Sequence, residues 1–158
     1  MTAPIQPFPD STSHRTTPVV GMSLDILDRM ERAVAKVGER LLRATAALNQ
    51  AGVPYAVVGG NAVASWVATV DEGAVRNTPD IDLLVRRNDL PAITTALQQA
   101  GFMRDEQLDL VMFLDGPQGK PREAVHLVFV GEKTHAADLL PAPEIRTVMD
   151  PASFPVLA

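Results

Sequence analysis

Asp80 and Asp82 stand two residues apart in Arg76-Asn77-Thr78-Pro79-Asp80-Ile81-Asp82-Leu83-Leu84-Val85, a stretch otherwise dominated at its end by branched apolar residues. If that stretch is a strand, both carboxylates leave the same face, with Cα atoms about 6.6 Å apart. Like charges so close repel one another, and a hard divalent cation removes the repulsion. Mg2+ suits such a pair, because it takes one or two carboxylates and completes its shell with water and phosphate oxygens. The alternative is two solvated acids at the end of an edge strand. Ile81, Leu83, Leu84 and Val85 argue instead for a buried strand.

Upstream, Gly59-Gly60-Asn61 follows the apolar run Tyr55-Ala56-Val57-Val58. A glycine pair after a strand lets the chain bend sharply and lets a ligand approach the backbone. If a helix starts there, its free N–H groups and positive end offer a phosphate site. The pair is not a dinucleotide fingerprint, since Ala62 and Val63 follow, and no Gly-Lys-Ser/Thr continues it as in a nucleoside-triphosphate P-loop. Taken alone it reads equally well as a structural turn.

The elements that must position these residues follow from periodicity. Leu27, Met30, Val34, Val37, Leu41, Ala44 and Leu48 recur at steps of three and four, which predicts a long helix over residues 24–51 with Ser23 as N-cap and Gly52 as terminator. Its apolar face has two readings: a cover on a sheet, or the seam of a homodimer through helix 24–51. Arg29, Arg32, Lys36, Arg40 and Arg43 read as solvated charges on its other faces. Strands are expected at 55–58, 80–86 and 124–130, with helices over 61–69 and from Asn88 or Asp89 to Ala100, and a hairpin turn through Gly116-Pro117-Gln118-Gly119. The order predicts an α/β (α+β) fold, a mixed sheet flanked by helices with a long N-terminal helix. Residues 1–21, rich in Pro, Ser and Thr, read as a disordered tail, residues 22–146 as the domain, and residues 147–158, punctuated by Pro151 and Pro155, as an extended C-terminal tail.

Composition narrows the function classes. With 46% apolar and 21% charged residues the chain has the makeup of a globular protein. Aromatic residues at 4% leave no stacking platform for single-stranded nucleic acid, and a net charge of -5 gives no general attraction to polyanions, so a nucleic-acid partner needs a local basic patch. The absence of cysteine excludes disulfides, thiolate zinc sites and a cysteine nucleophile, and fits a cytoplasmic location. No apolar run reaches the roughly 18 residues a membrane span requires.

Val57-Val58-Gly59-Gly60-Asn61-Ala62, followed by Arg76-x-Thr78-x-Asp80-Ile81-Asp82-Leu83-Leu84-Val85, resembles the nucleotidyltransferase superfamily. Within it the likeness is greatest to the bacterial minimal and abortive-infection types, some of which are toxins of toxin-antitoxin pairs. The resemblance spans about residues 53–146. It implies a turn at Gly59, Gly60 and Asn61 that holds a triphosphate, Arg76 and Thr78 orienting phosphate or the metal-site loop, and Asp80 and Asp82 as catalytic ligands of Mg2+. The implied reaction moves a nucleoside monophosphate from a nucleoside triphosphate such as ATP to a hydroxyl of protein or RNA, with pyrophosphate leaving and an antitoxin as partner.

Two departures accompany the likeness. Where such proteins place a third carboxylate on a later central strand, Ala124-Val125-His126-Leu127-Val128-Phe129-Val130 places His126. Histidine serves as a general base near neutrality but is a poor magnesium ligand. Glu123, Glu132 and Asp109 are the alternative acids. The resemblance also leads one to expect more chain beyond residue 158, with a basic helical segment. Both departures support a second reading, a catalytically degenerate member acting as a nucleotide-binding or protein-interaction module. A third carboxylate facing Asp80 and Asp82 would separate the two.

Overall fold

The computed structural model describes residues 20–71, 78–149 and 155–157, so residues 1–19 of the expected tail, and Arg76 with most of its loop, lie outside the described residues. The elements in chain order are α1 (Val20–Gln50), β1 (Tyr55–Val58), α2 (Gly59–Ala68), β2 (Ile81–Val85), α3 (Leu90–Gln99), β3 (Met103–Gln107), β4 (Leu110–Leu114), β5 (Val125–Phe129), β6 (Thr147–Met149) and β7 (Pro155–Leu157). The seven strands form one mixed sheet in the order β3-β4-β5-β2-β1-β7-β6. The fold class is the expected one.

Alternation along the central strands creates two unlike faces. Ile81, Leu83 and Val85 of β2 join Val125, Leu127 and Phe129 of β5 in the main core, under Val37, Leu41, Ala44 and Leu48 of α1 and Ile93, Ala96 and Leu97 of α3. The residues between them, Asp82 on β2 and His126 on β5, are only partly buried, and they are direct partners across the parallel β2–β5 ladder. β1 runs antiparallel to β2 on its other side and pairs Val58 with Asp82. Three adjacent strands therefore deliver Val58, Asp82 and His126 to one level of the sheet.

Several expectations need correction. Asp80 is not in the strand: β2 begins at Ile81, whose N–H donates to the Ala124 carbonyl at 3.0 Å, and Asp80 sits in the bend just before it. α1 starts at Val20, which puts Ser23 inside the helix rather than at its cap. The periodic face of α1 is covered only in its second half. Leu27, Met30 and Val34 are exposed, whereas Leu41, Ala44 and Leu48 are buried. A helix of 31 residues is about 46 Å long, against about 17 Å for the five-residue strands beneath it, so its first turns overshoot the sheet. Gly52 ends the helix as predicted, at φ +66 with the Val53 N–H returning to the Leu48 carbonyl at 3.0 Å. Leu108 and Asp109 form the two-residue turn between β3 and β4, at φ 49 and 69. The C-terminal segment read as a tail is extended but paired: β7 lies parallel to β1 through Val57 and Val156, β6 closes the edge, and the Trp66 indole N–H donates to the Leu157 carbonyl at 3.2 Å.

Arg40 and Arg43 are not solvated charges either. Arg40 is buried, with Nε donating to Asp115 Oδ2 at 3.1 Å and Nη1 to the Pro79 carbonyl at 3.1 Å. Arg43 bonds the other oxygen of Asp115 and lies over the Phe102 ring at 4.5 Å. Burial alone would raise the Asp115 pKa, but the hydrogen bonds from Arg43 and Arg40 and their charges bring it below the ordinary 3.8. This clamp ties α1 to the turn after β4 and to the residue preceding Asp80. A carboxyl whose folded pKa is depressed contributes stability that is fully present above 3.8 and is lost as the pH falls through the folded value. Asp115→Asn is expected to cost about 2 kcal/mol at neutral pH, the range for a hydrogen bond to a charged group, and to flatten the acid limb of a urea-denaturation series. Unchanged acid dependence in the variant would contradict the clamp.

Candidate active site

The site is built on the junction of β1 and α2. α2 begins directly at Gly59, two residues earlier than periodicity suggested, so both glycines lie in its first turn. Gly59 has φ +66, a conformation side chains disfavour, and a Cβ there would overlap the Asp82 carboxylate, with Asp82 Cγ 3.0 Å away. A Cβ on Gly60 would overlap the Thr78 side chain. The glycine pair is thus required by the close approach of β2 and its leading loop, which puts the positive end of α2 against the acids. Gly59 is exposed and Gly60 partly so, leaving the turn open to a ligand.

Asn61 holds that loop. Buried at 8% exposure, its Nδ2 donates to the Asp80 carbonyl at 2.6 Å and lies 3.4 Å from Thr78 Oγ1. Its amide is therefore committed to the chain, and Thr78 shares the same contact. Arg40 grips the Pro79 carbonyl from the α1 side, so the bend carrying Asp80 is held from two directions. Sequence reasoning missed Arg40, although its phase contained the signal: it follows Val37 by three residues and precedes Ala44 by four, placing it within the apolar stripe. Asn61→Ala is expected to cost about 1–2 kcal/mol from the lost bonds and the unsatisfied Asp80 carbonyl. The loss is to be read by thermal and urea unfolding, and a neutral result would refute the anchoring role.

Asp80, Asp82 and His126 each offer a ligand atom, and these atoms lie within 4.8 Å of one another. Among the described residues they are the only such group of three. His126 Nδ1 is 3.7 Å from Asp82 Oδ1, and Nε2 is 2.9 Å from the Pro121 carbonyl. The Asp82 carboxylate chiefly raises the His126 pKa above 6.5; burial opposes it, while the Pro121 carbonyl and the charges of Asp82 and Asp80 add to the rise. None of the alternative acids joins the group. Glu132 is paired with Arg87 at 2.5 Å, Asp109 is in the β3–β4 turn, and Glu123 lies 3.9 Å from Arg40. The third position facing the pair holds an imidazole, not a carboxylate. Two carboxylates and one imidazole converging beside an open helix N-terminus fit a divalent ion.

The family profile described as uncharacterised nucleotidyltransferase matches residues 24–149. The chain belongs to that nucleotidyltransferase family. No curated protein matches the chain in sequence. Two solved structures share the nucleotidyltransferase fold at 16% identity. The solution structure of the antibiotic-resistance factor ANT(2'')-Ia matches with a TM-score of 0.50, over 72% of this chain and 55% of that one. The crystal structure of ANT(2'')-Ia with adenylyl-2''-tobramycin matches with a TM-score of 0.51, over 77% and 68%. The chain thus spans little more than half the length of the first of these.

Beside the site lies a cleft of about 750 Å³. Arg29, Arg32, Lys36 and Arg40 of α1 line one wall, and Thr78 and Pro79, immediately before Asp80, line the other. Among the described residues no helix is long and apolar enough to cross a membrane.

Proposed function

We propose that the protein transfers a nucleoside monophosphate from a nucleoside triphosphate, such as ATP, to an acceptor hydroxyl. One observation carries this reading: the Gly59-Gly60 turn at the head of α2 is packed against the Asp82 carboxylate, so a phosphate cradle and an ion-holding pair share one opening. The N–H groups of the turn bind phosphate oxygens, and Asp80 and Asp82 hold a divalent ion, Mg2+ in the reading from sequence. When bound, that ion offsets the charge on the triphosphate. The acceptor oxygen bonds to the α-phosphorus, the bond from that phosphorus to its bridging oxygen breaks, pyrophosphate departs and the hydroxyl proton passes to solvent. Thr78 and Asn61 serve by fixing the loop of Asp80, and Arg76 joins the phosphate-binding set.

Both acceptor classes expected from sequence, protein and RNA, belong to the proposal: the cleft wall carries the charges of Arg32 and Lys36, while Arg29 is paired with Asp25, Arg40 with Asp115, and Met30 and Val34 make part of the lining apolar. The test is transfer of label from α-phosphate-labelled nucleoside triphosphates, with Mg2+ or Mn2+, into total RNA and into total protein. Label in RNA or in protein supports the proposal and identifies the acceptor class. Tight nucleotide binding with no transfer to either would leave the degenerate module, a reading favoured by the lack of a third carboxylate among the described residues.

A toxin role with an antitoxin partner rests on the resemblance to abortive-infection proteins. The exposed Leu24, Leu27, Met30 and Val34 of α1 offer a surface for such a partner or for a second copy of the chain. The homodimer has a direct check by light scattering: a dimeric mass that Met30→Glu converts to monomer is expected, and a monomeric wild type ends that proposal.

A further inference from the structure

The imidazole at the third position changes which ion the site suits. A carbonyl oxygen can only accept, so His126 Nε2, 2.9 Å from the Pro121 carbonyl, must carry the proton. In the neutral ring this leaves the lone pair on Nδ1, the nitrogen that faces Asp82 at 3.7 Å. Metal-binding histidines are ordinarily held in this way, with the N–H remote from the ion tied to a carbonyl that fixes ring and tautomer. The ring is further placed by register, because His126 is the ladder partner of Asp82 in the interior of the sheet. The site therefore presents two carboxylates and one oriented nitrogen.

Mg2+ strongly prefers oxygen donors and near-ideal octahedral geometry. First-row transition ions accept imidazole more readily, and Mn2+ among them keeps the preference for carboxylate and phosphate oxygens. We infer that His126 Nδ1 is a third ligand, and that the Asp80–Asp82–His126 site is selective for Mn2+ over Mg2+. This rests on the reading of Asp80 and Asp82 as the ion-holding pair.

The test is direct binding of the ion alone, followed by calorimetry and by loss of the free Mn2+ signal in electron paramagnetic resonance, with Mg2+ as competitor. Wild type is expected to bind Mn2+ at least about tenfold more tightly than Mg2+, and His126→Gln, which retains an oxygen donor but no imidazole, to bring the two within about threefold. A wild-type Mn2+ preference that survives in His126→Gln but vanishes in Asp80→Asn with Asp82→Asn would overturn the histidine's part and leave the carboxylate pair standing. Binding of neither ion to wild type would overturn both readings. Nitrogen-15 spectra of the wild-type imidazole give a check that needs no variant. A protonated Nε2 without metal, and Mn2+ broadening strongest at Nδ1, are expected; broadening strongest at Nε2, or none, would overturn the inference.

Discussion

Asp80→Asn combined with Asp82→Asn is expected to lower divalent-ion affinity by at least about 100-fold, since loss of outer-shell partners alone costs up to that much. Binding of nucleoside triphosphate in the presence of the ion should fall with it. Both side chains are partly exposed and neither joins the main core, so circular dichroism and cooperative unfolding should remain close to wild type. Their roles differ in how they are held. Asp82 is fixed by the β2 ladder, between Val58 and His126, whereas Asp80 depends on the bend that Asn61 and Arg40 secure. Asp82→Asn alone should therefore also alter His126, releasing the carboxylate that chiefly raises its pKa and moving its titration downward. Equal ion binding by wild type and the double variant, measured by calorimetry, would remove the carboxylate pair from the site.

The second large effect belongs to Gly59, and the fold supplies its control. Gly59 and Gly52 share φ +66, but a Cβ on Gly52 meets nothing within 4 Å, while one on Gly59 overlaps the Asp82 carboxylate. Gly52→Ala should cost only the backbone term, about 1–2 kcal/mol for a side chain in the left-handed region. Gly59→Ala should cost more in stability and should also displace Asp82, lowering ion affinity by at least about tenfold, as expected when ligand geometry is disturbed. The difference between the two variants isolates the contact from the strain. If both lose the same stability and both bind ion like wild type, the glycine does not serve the acid pair.

Much of this site could be read from residue order because its chemistry is concentrated in short local patterns. Alternation along Ile81–Val85 predicted which face Asp82 would occupy, and the apolar run from Ala124 to Val130 marked His126 as an interior-strand residue. What could not be read depends on lengths and on partners distant in the chain. Periodicity in α1 records an amphipathic helix, but not how much sheet lies beneath it, so the exposure of Leu27 and Met30 was invisible. Arg40 resembles its solvated neighbours until its phase is compared with Val37 and Ala44, and the carbonyl of Pro79 that it binds cannot be located without the fold. Asn61 has the composition of a phosphate-binding turn residue, yet its amide is spent on Asp80. β6 and β7 are three residues each, and β7 starts with a proline, which removes a ladder donor and weakens any strand signal.

The parallel pairing of β2 with β5 has a consequence for the order of events in folding. Between Asp82 and His126 the chain runs through α3 and the β3–β4 hairpin, so β5 returns beside β2 only across a long stretch of chain. Such a closure pays loop entropy before its contacts repay it, which makes it slow relative to local helix and hairpin formation. The glycine turn and Asp82 meet through the nearer β1–β2 pairing, so the turn and the carboxylate can come together first and the imidazole afterwards. During synthesis, a nascent chain ending before β5 would carry the glycine turn and the two carboxylates without the imidazole, and would bring all three side chains together only when β5 docks.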